Sequence, residues 1–397
     1  MSKLALSLFL SGICLSQSVA GQQWKKECVG YYQLELPDNV EVALYPVNEF
    51  INPRNEPVII DGVKIQRYAY PGITFDTTHY RRQKTNAVQA KFSEFYYSDY
   101  ELRISSESKD PIDFSAYQQR RQESSEFGID VVRQQLEKKY KNFKSSVISE
   151  EEFNRMYGYI LKKYPFAFSL YESTYYTLYI NKDNRLYHFW KKSKNDKTDK
   201  TQSAEKQWRE NEPEVLSLLS RFRPRKLYEV PAEQGFCMPY GFIAGDSGHE
   251  KHNMAVTYRL EDHPDVTIFF QDLGMEPEAG FHRPDNETSK EFVTYLWNRK
   301  YQWSAISKEL IPPKWRAIEM GGHEGLGTYV KSEFENGSVD YGYVAYIRGD
   351  HKARNYKPDL LLYVMQDSDQ LNDQPPMDKD ELEKMSEHII STVKRWQ

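Results

Sequence analysis

The strongest candidate for a catalytic group is Ser247, which lies in the segment Gly245-Asp246-Ser247-Gly248. This segment is similar to the one that carries the nucleophile in trypsin-like serine proteases, where a His base and an Asp must be brought to the Ser. No such framework surrounds His79 or His188, and the Gly-x-Ser-x-Gly pattern of esterases and lipases is absent. The same four residues favour a turn, because Gly accepts positive φ and Asp and Ser bond to nearby backbone. We therefore predict a turn here and keep a hydrolase only as an alternative.

Histidines are the next candidates, as metal ligands. His249 and His252 stand three residues apart, whereas the zinc motif His-Glu-x-x-His places them four apart. His263 follows nearby, and His323-Glu324 begins the motif without its second His. No Cys-x-x-Cys pair and no phosphate-binding glycine motif occurs in the sequence. We predict no catalytic residues, no metal and no cofactor, with a zinc site around 249–263 as part of the hydrolase alternative.

Composition excludes some functional classes. The chain has 397 residues with 53 Lys+Arg and 58 Asp+Glu, for a net charge of −5. This balance argues against a nucleic-acid partner, which normally requires a basic patch. Aromatic residues make up 14% of the chain, and 30 of them are Tyr. Such a content argues against disorder and is typical of amphipathic sheet faces and of protein interfaces.

Residues 1–20 have the pattern of a secretory signal peptide. Lys3 provides the positive start, residues 4–15 form an apolar run, and Ser18-Val19-Ala20 offers small residues for cleavage. The run is shorter than the ~20 residues that a spanning helix needs. We expect cleavage after Ala20 and a periplasmic protein without stable membrane insertion.

Two cysteines remain after removal of the signal, Cys28 and Cys237. An even number in an oxidising compartment permits one disulfide. Two separate buried thiols are the alternative, since Cys is a common small core residue.

The two halves of the mature chain are alike. Each opens with a Cys that precedes a strand-like stretch, and each ends with an amphipathic helix, at 214–223 and 387–396. Similarity at this spacing indicates a duplicated domain. We predict an N-terminal domain at 21–223, a linker at 224–234 and a C-terminal domain at 235–397.

Strand and hairpin patterns dominate within each half. Asp61-Gly62 and Asn336-Gly337 separate strand-like runs, as in hairpins. A third hairpin is predicted at 169–190, and 360–365 reads as a central strand. Helices are predicted at 126–143 and 289–299, and after Asp378, which can cap the last helix. The predicted fold class is α+β, with two tandem, duplicated domains that each pack an antiparallel sheet with helices.

Without a catalytic constellation, the residues favour a binding protein that acts through its surface. Exposed aromatic and Arg side chains are the usual anchors of protein interfaces. The candidates for partner contact are Phe281, His282, Arg283 and Tyr356, which lie in predicted turns.

Several short motifs, in order along nearly the whole mature chain, resemble those of Tli-type immunity proteins. The motifs are Glu27-Cys28-Val29-Gly30, Leu34-Glu35-Leu36-Pro37, Phe222-Arg223-Pro224-Arg225, Gly235-Phe236-Cys237, Gly241-Phe242-Ile243 and His323-Glu324-Gly325-Leu326-Gly327. These proteins are periplasmic antagonists of type VI secretion phospholipase effectors, the Tle-type lipases. The resemblance implies no enzymatic activity and a cognate secreted phospholipase as partner, gripped by two domains so that lipid cannot reach its active site. An envelope- or solute-binding protein is the alternative outside this family.

Overall fold

The computed structural model describes residues 23–52, 54–60, 63–69, 72–75, 90, 92–143, 148–192, 203–276, 287–300, 304–371 and 374–396. The predicted signal peptide, residues 1–20, lies outside this range. None of the helices in the described part combines the length and the apolar character needed to cross a membrane.

The first half of the chain consists of short antiparallel strands and four helices of very different length in its described residues. In order they are β1 (Trp24–Val29), β2 (Tyr32–Pro37), β3 (Val40–Val42), α1 (Val47–Ile51), β4 (Arg54–Ile60), β5 (Val63–Ala69), β6 (Glu94–Tyr97), β7 (Tyr100–Ile104), α2 (Phe114–Phe143), α3 (Glu150–Tyr157), β8 (Tyr159–Tyr164), β9 (Ala167–Glu172), β10 (Tyr175–Lys182), β11 (Arg185–Lys192), α4 (Ala204–Arg221) and β12 (Phe222–Pro224).

The second half has longer strands and two α-helices in its described residues. In order they are β13 (Gly235–Met238), β14 (Gly241–Ala244), β15 (His252–Leu260), β16 (Val266–Leu273), α5 (Ser289–Tyr295) with a π-helical extension (Leu296–Lys300), β17 (Ser307–Leu310), β18 (Arg316–Met320), β19 (His323–Glu333), β20 (Val339–Ile347), β21 (Asp359–Gln366), a 3₁₀ turn (Ser368–Gln370), α6 (Lys379–Thr392) and β22 (Lys394–Arg395).

One large antiparallel sheet contains strands of both halves, which confirms the α+β class. Its order is β17-β19-β20-β21-β16-β15-β6-β7-β11-β10-β9-β8, with β18 beside β19 and β3 beside β15. Outward from the β6–β15 pair, both halves have the same arrangement. Each begins with a hairpin, β6–β7 or β15–β16. A meander follows with its strands in reverse chain order, β11-β10-β9-β8 in the first half and β21-β20-β19-β17 in the second. A helix and a short strand follow each meander, α4 with β12 and α6 with β22. The sequence predicted a sheet in each half, but not that the two sheets would join edge to edge.

The two faces of this sheet are covered differently. On one face a continuous apolar core packs under α4, α6 and the hairpins β1–β2 and β13–β14, with Leu218 and Leu382 among its buried residues. On the other face there are two separate apolar clusters. One packs around Trp297 after α5, and the other around Tyr117 of α2 and Phe50 of α1. Side chains alternate between the faces along each strand, as the period of two requires.

Several predicted elements have different bounds. Helix α2 begins at Phe114 rather than at 126. Helix α6 begins where predicted, with Asp378 accepting bonds from the amides of Asp380 and Glu381, but ends at Thr392. Residues 394–395 form β22 beside β2, because this pairing satisfies backbone groups that a helix end would leave unbonded.

One of the three predicted hairpins departs from its predicted turn. The turn between β19 and β20 spans 334–338 rather than two residues, since Glu333 is the last residue paired with Val339. Strands β4 and β5 pair up to Ile60 and Val63 as predicted, although positions 61 and 62 lie outside the described residues. The third predicted hairpin closes between Lys182 and Arg185, but its predicted first arm, 169–180, is divided into the paired strands β9 and β10.

A buried ion pair connects the start of the chain with the predicted linker. Arg225 is 6% exposed, and its guanidinium bonds to the carboxylate of Glu27, which is fully buried. It also donates to the carbonyls of Cys28, at 2.9 Å, and of Met238, at 3.2 Å. The second oxygen of Glu27 accepts from the amide of Tyr228 at 2.5 Å. Burial disfavours the charged guanidinium, but Glu27 outweighs this and raises the pKa of Arg225.

Removing one partner of this pair should strongly destabilise the fold. Arg225→Met leaves the Glu27 carboxylate buried without its counter-charge, so we expect the free energy of unfolding to fall by about 3–5 kcal/mol. Urea denaturation followed by circular dichroism measures this. The matched control is Arg223→Met, whose partner Glu233 is half-exposed, and a loss within about 1 kcal/mol is expected. Equal losses in the two variants would contradict the prediction.

Asp340 makes the stability depend on pH. Its carboxylate is 3% exposed and accepts from the amide of Ser368 at 3.0 Å. Burial raises the pKa of Asp340 to about 7. In the unfolded chain the carboxyl ionises near pH 3.8, so between these values the folded state holds a proton that the unfolded state has released. The stability from this group is therefore complete below pH 3.8 and is lost as the pH rises toward 7.

Asp340→Asn should remove this dependence. The amide oxygen can still accept from Ser368, and no buried charge forms at high pH. At pH 8 we expect the free energy of unfolding of the variant to be roughly 2–4 kcal/mol larger than that of the unchanged protein. This difference should become smaller toward pH 5. Urea denaturation at pH 5, 6, 7 and 8 tests this, with the exposed Asp110→Asn as control. A gap that does not change with pH would refute it.

Candidate functional site

The segment around Ser247 forms a turn, as predicted. Gly245 and Gly248 have φ of 62° and 73°, and the side chain of Asp246 accepts from the amide of Gly248 at 2.8 Å. The Ser247 hydroxyl accepts from the amide of His249 and donates to Glu250 at 3.2 Å. The hydroxyl is thus engaged within its own loop. Among the described residues, no bond joins it to a His ring.

The histidines proposed for a zinc site lie in different environments. His252 is buried, with Nε2 2.8 Å from Oδ1 of Asp272 and Nδ1 2.7 Å from the carbonyl oxygen of Glu250. Burial disfavours the charged ring, but Asp272 outweighs this and raises the pKa of His252. His249 stacks on Tyr356, and His263 faces Asp265 at 3.5 Å. In the described part of the chain, no three His, Cys, Asp or Glu are placed to hold a metal ion.

Cys28 and Cys237 are joined as a disulfide that links β1 to β13 across 209 residues. The bridge is fully buried beside Phe242. Next to it, Gly30 and Cys237 exchange backbone bonds of 2.8 and 3.0 Å. A side chain at Gly30 is excluded, because its φ is 59° and a Cβ would lie 2.3 Å from Asp272. The disulfide therefore fixes the first hairpin to the opening of the second half.

One of the four predicted contact residues can be placed. Tyr356 is 60% exposed, and its ring stacks on His249 with centroids 4.3 Å apart. The preceding residue, Asn355, donates to the carbonyl of His249 at 3.0 Å. Phe281, His282 and Arg283 lie outside the described residues. Tyr356 thus presents a supported aromatic ring on the surface.

Between the two apolar clusters, the second face of the sheet carries a strip of polar and aromatic side chains, which we call the polar strip. Cα partners in its central row run from Trp190 through Glu101 and Tyr96 to Asn253. The side chains bond to one another: Arg103 donates to Glu101 at 2.9 Å, Asn253 to Glu94 at 2.9 Å, and Gln271 to Asn253 at 2.8 Å. The members of the polar strip are Glu94, Tyr96, Glu101, Arg103, Trp190, Asn253 and Gln271.

Above the polar strip lies a groove of about 540 Å³, which we call the seam groove. Its floor includes Tyr96, Glu101 and Trp190 of the first half. Its other wall includes residues 274–276, 351, 352, 354 and 355 of the second half. Arg354 holds this wall together, since it lies 2.6 Å from Glu276 and 3.1 Å from Asp359. The groove crosses the junction of the halves, and its half-buried aromatic rings are of the kind that anchors protein partners.

Part of the chain matches a known protein family in sequence. The family model of the Tle cognate immunity protein 4 C-terminal domain matches residues 229–290. The chain resembles the Tli4-type immunity proteins. The matched segment contains Cys237, the turn at Gly245–Gly248, and both strands of the β15–β16 hairpin. It confirms the resemblance inferred from the motifs in the second half.

Solved structures of similar fold cover nearly the whole of this chain. The immunity protein TplEi of T6SS from Pseudomonas aeruginosa matches in its apo form with a TM-score of 0.51, at 14% identity, over 94% of this chain and 96% of that chain. Its complex with an "L" peptide matches with a TM-score of 0.50, at 14% identity, over 94% and 98%. The Tle4-Tli4 complex has a TM-score of 0.49, at 14% identity, over 94% and 97%. The TplEi likeness shows a shared fold. No curated protein matches the sequence significantly.

The sequence did not reveal the polar strip. Its members come from β6, β7, β11, β15 and β16, which are far apart along the chain. A partial signal was present, since Glu94-Phe95-Tyr96-Tyr97 and Tyr100-Glu101-Leu102-Arg103 alternate polar and apolar positions. Such alternation normally places the polar side in solvent, and only the pairing of both halves turns that side into a groove floor.

Loss of the disulfide between the two halves should lower the stability of the protein. Replacing both cysteines, with Cys28→Ser and Cys237→Ser, frees a 209-residue loop in the unfolded chain, so we expect a loss of about 2–5 kcal/mol in the free energy of unfolding. Urea denaturation with and without reductant measures this. Reductant should destabilise the unchanged protein and leave the double variant unaffected. Intact mass should show alkylation of two thiols only after reduction, and alkylation without reductant would contradict the bridge.

Proposed function

We propose that this protein is a periplasmic immunity protein that binds a cognate type VI secretion phospholipase effector and blocks access of lipid to its active site. The producing cell would thereby be protected from its own effector and from that of sibling cells. The observation that carries this proposal is the match of residues 229–290 to the C-terminal domain of Tle cognate immunity protein 4. The protein would act as a binding protein without catalysis of its own.

The fold and the surface support this proposal. A structure of similar fold, TplEi, has been solved with a bound peptide. In this chain, Ser247 is engaged by its own loop rather than by a His, as a turn residue would be. Steric blockade requires a rigid body that presents several loops at once, and an interface of roughly 1,600 Å² can supply high affinity. The large antiparallel sheet that contains strands of both halves provides such a rigid body.

The remaining parts of the proposal concern export and organisation. We propose that residues 1–20 are removed after Ala20 and that the mature protein is periplasmic, where it can meet an effector that attacks membranes from that side. We further propose that 21–223 and 235–397 are duplicated domains joined by 224–234. Tyr356, Phe281, His282 and Arg283 remain the proposed partner contacts from sequence.

An inhibition assay tests the function. The mature chain is mixed with the purified candidate phospholipase effector, and hydrolysis of phospholipid vesicles is measured. We expect a stable complex on size-exclusion chromatography and loss of hydrolysis at one or a few equivalents. An unrelated phospholipase should be unaffected. Undiminished hydrolysis at saturating concentration would overturn the proposal.

A further inference from the structure

We propose that the seam groove binds an acidic segment of the protein partner, with Trp190 and Tyr96 as its aromatic contacts and Lys192, Lys251 and Lys352 as its counter-charges. The inference rests on the proposed function, because it takes the effector as the source of that segment. It specifies where the partner is bound and by what chemistry.

The first argument concerns the groove floor, which is fixed before any partner arrives. Glu101 of the floor is held by two bonds from Arg103, at 2.9 and 3.1 Å, and beside the groove Glu94 of the polar strip accepts from Asn253. Side chains already held in one arrangement lose little conformational freedom on binding, which favours affinity. The floor therefore offers a pre-ordered polar surface on which Trp190 and Tyr96 stand half-buried.

The second argument concerns charge. The carboxylates that line the groove have cationic neighbours: Glu101 has Arg103, Asp99 has Lys191 at 3.8 Å, and Glu276 has Arg354 at 2.6 Å. Two of these cations also have a second partner behind the groove, since Lys191 lies 2.8 Å from Glu214 and Arg354 lies 3.1 Å from Asp359. The groove lysines are exposed, and in the described structure none of them makes an ion pair. They are Lys192, Lys251 and Lys352. Among the side chains that line the groove, four are cationic, these three lysines and Arg354, and three are anionic, so the lining carries a net charge of +1 although the protein as a whole carries −5. Complementary charge selects and steers an acidic partner.

The third argument concerns the mode of contact. The floor lies on β6, β7 and β11, each with neighbours on both sides in the sheet. Their backbone groups are already paired, so an incoming segment cannot add a strand there and must be recognised by side chains. A volume of about 540 Å³ accommodates several side chains rather than a whole domain. A protruding acidic loop or helix end of the effector fits these dimensions.

Charge reversal in the groove tests the inference. The triple variant Lys192→Glu, Lys251→Glu, Lys352→Glu and the single variant Trp190→Ala are titrated calorimetrically with the purified effector. We expect Kd to rise on the order of 10- to 100-fold for the triple variant at low salt, less at high salt, because rim charges are screened. Trp190→Ala should weaken binding about 30-fold or more if the ring is a central anchor. In the unchanged complex, a carbodiimide should link Lys251 or Lys352 to carboxylates of the effector.

The matched control carries the same change in net charge elsewhere: Lys109→Glu, Lys226→Glu, Lys314→Glu, all exposed residues that do not line the groove. Its Kd should stay within about twofold of the unchanged value. If the unchanged chain does not bind the effector, the proposed function fails and this inference fails with it. If binding is tight but survives both groove variants, or if the two triple variants weaken it equally, the proposed function stands and the inference is overturned.

Discussion

The structure depends on a buried polar junction where the start of the chain meets the beginning of its second half. Arg225 bonds there to Glu27 and to the carbonyls of both β1 and β13, and the disulfide lies beside it. A buried charge without a partner costs several kcal/mol, so this arrangement is stable only when all of its members are in place. The segment predicted as a linker is accordingly hydrogen-bonded to the rest of the fold at Arg225 and is not a free connection between two domains.

The junction determines the relation of the two halves. Gly30, fixed by Cys237, places the backbone of Tyr31 against Asp272, whose other oxygen faces His252 at the start of β15. Strand β15 pairs with β6, so one sheet runs through both halves of the chain. A surface formed across that pairing keeps its shape, because its floor is continuous hydrogen-bonded sheet. This is the physical basis for assigning partner binding to the seam groove.

Sequence reasoning succeeded where short-range physical chemistry decides the outcome. Asp378 caps α6, the turn at Gly245–Gly248 forms with positive φ at both glycines, and 360–365 is a fully buried central strand. It was less accurate at element ends, where distant partners compete. Residues 394–395 leave the helix because β2 offers backbone partners, and α2 extends to Phe114, whose ring packs against Phe168.

The sequence by itself determined the α+β class, the turn at Gly245–Gly248 and the cap of the last helix, because these follow from side-chain periodicity and from the backbone preferences of Gly and Asp. It left the cysteine pairing open and gave only a partial signal of the polar strip. Both depend on residues that are far apart in the chain, Cys28 with Cys237 and Trp190 with Asn253. Only the tertiary structure, by pairing β6 with β15 and burying Glu27 against Arg225, could bring these residues together.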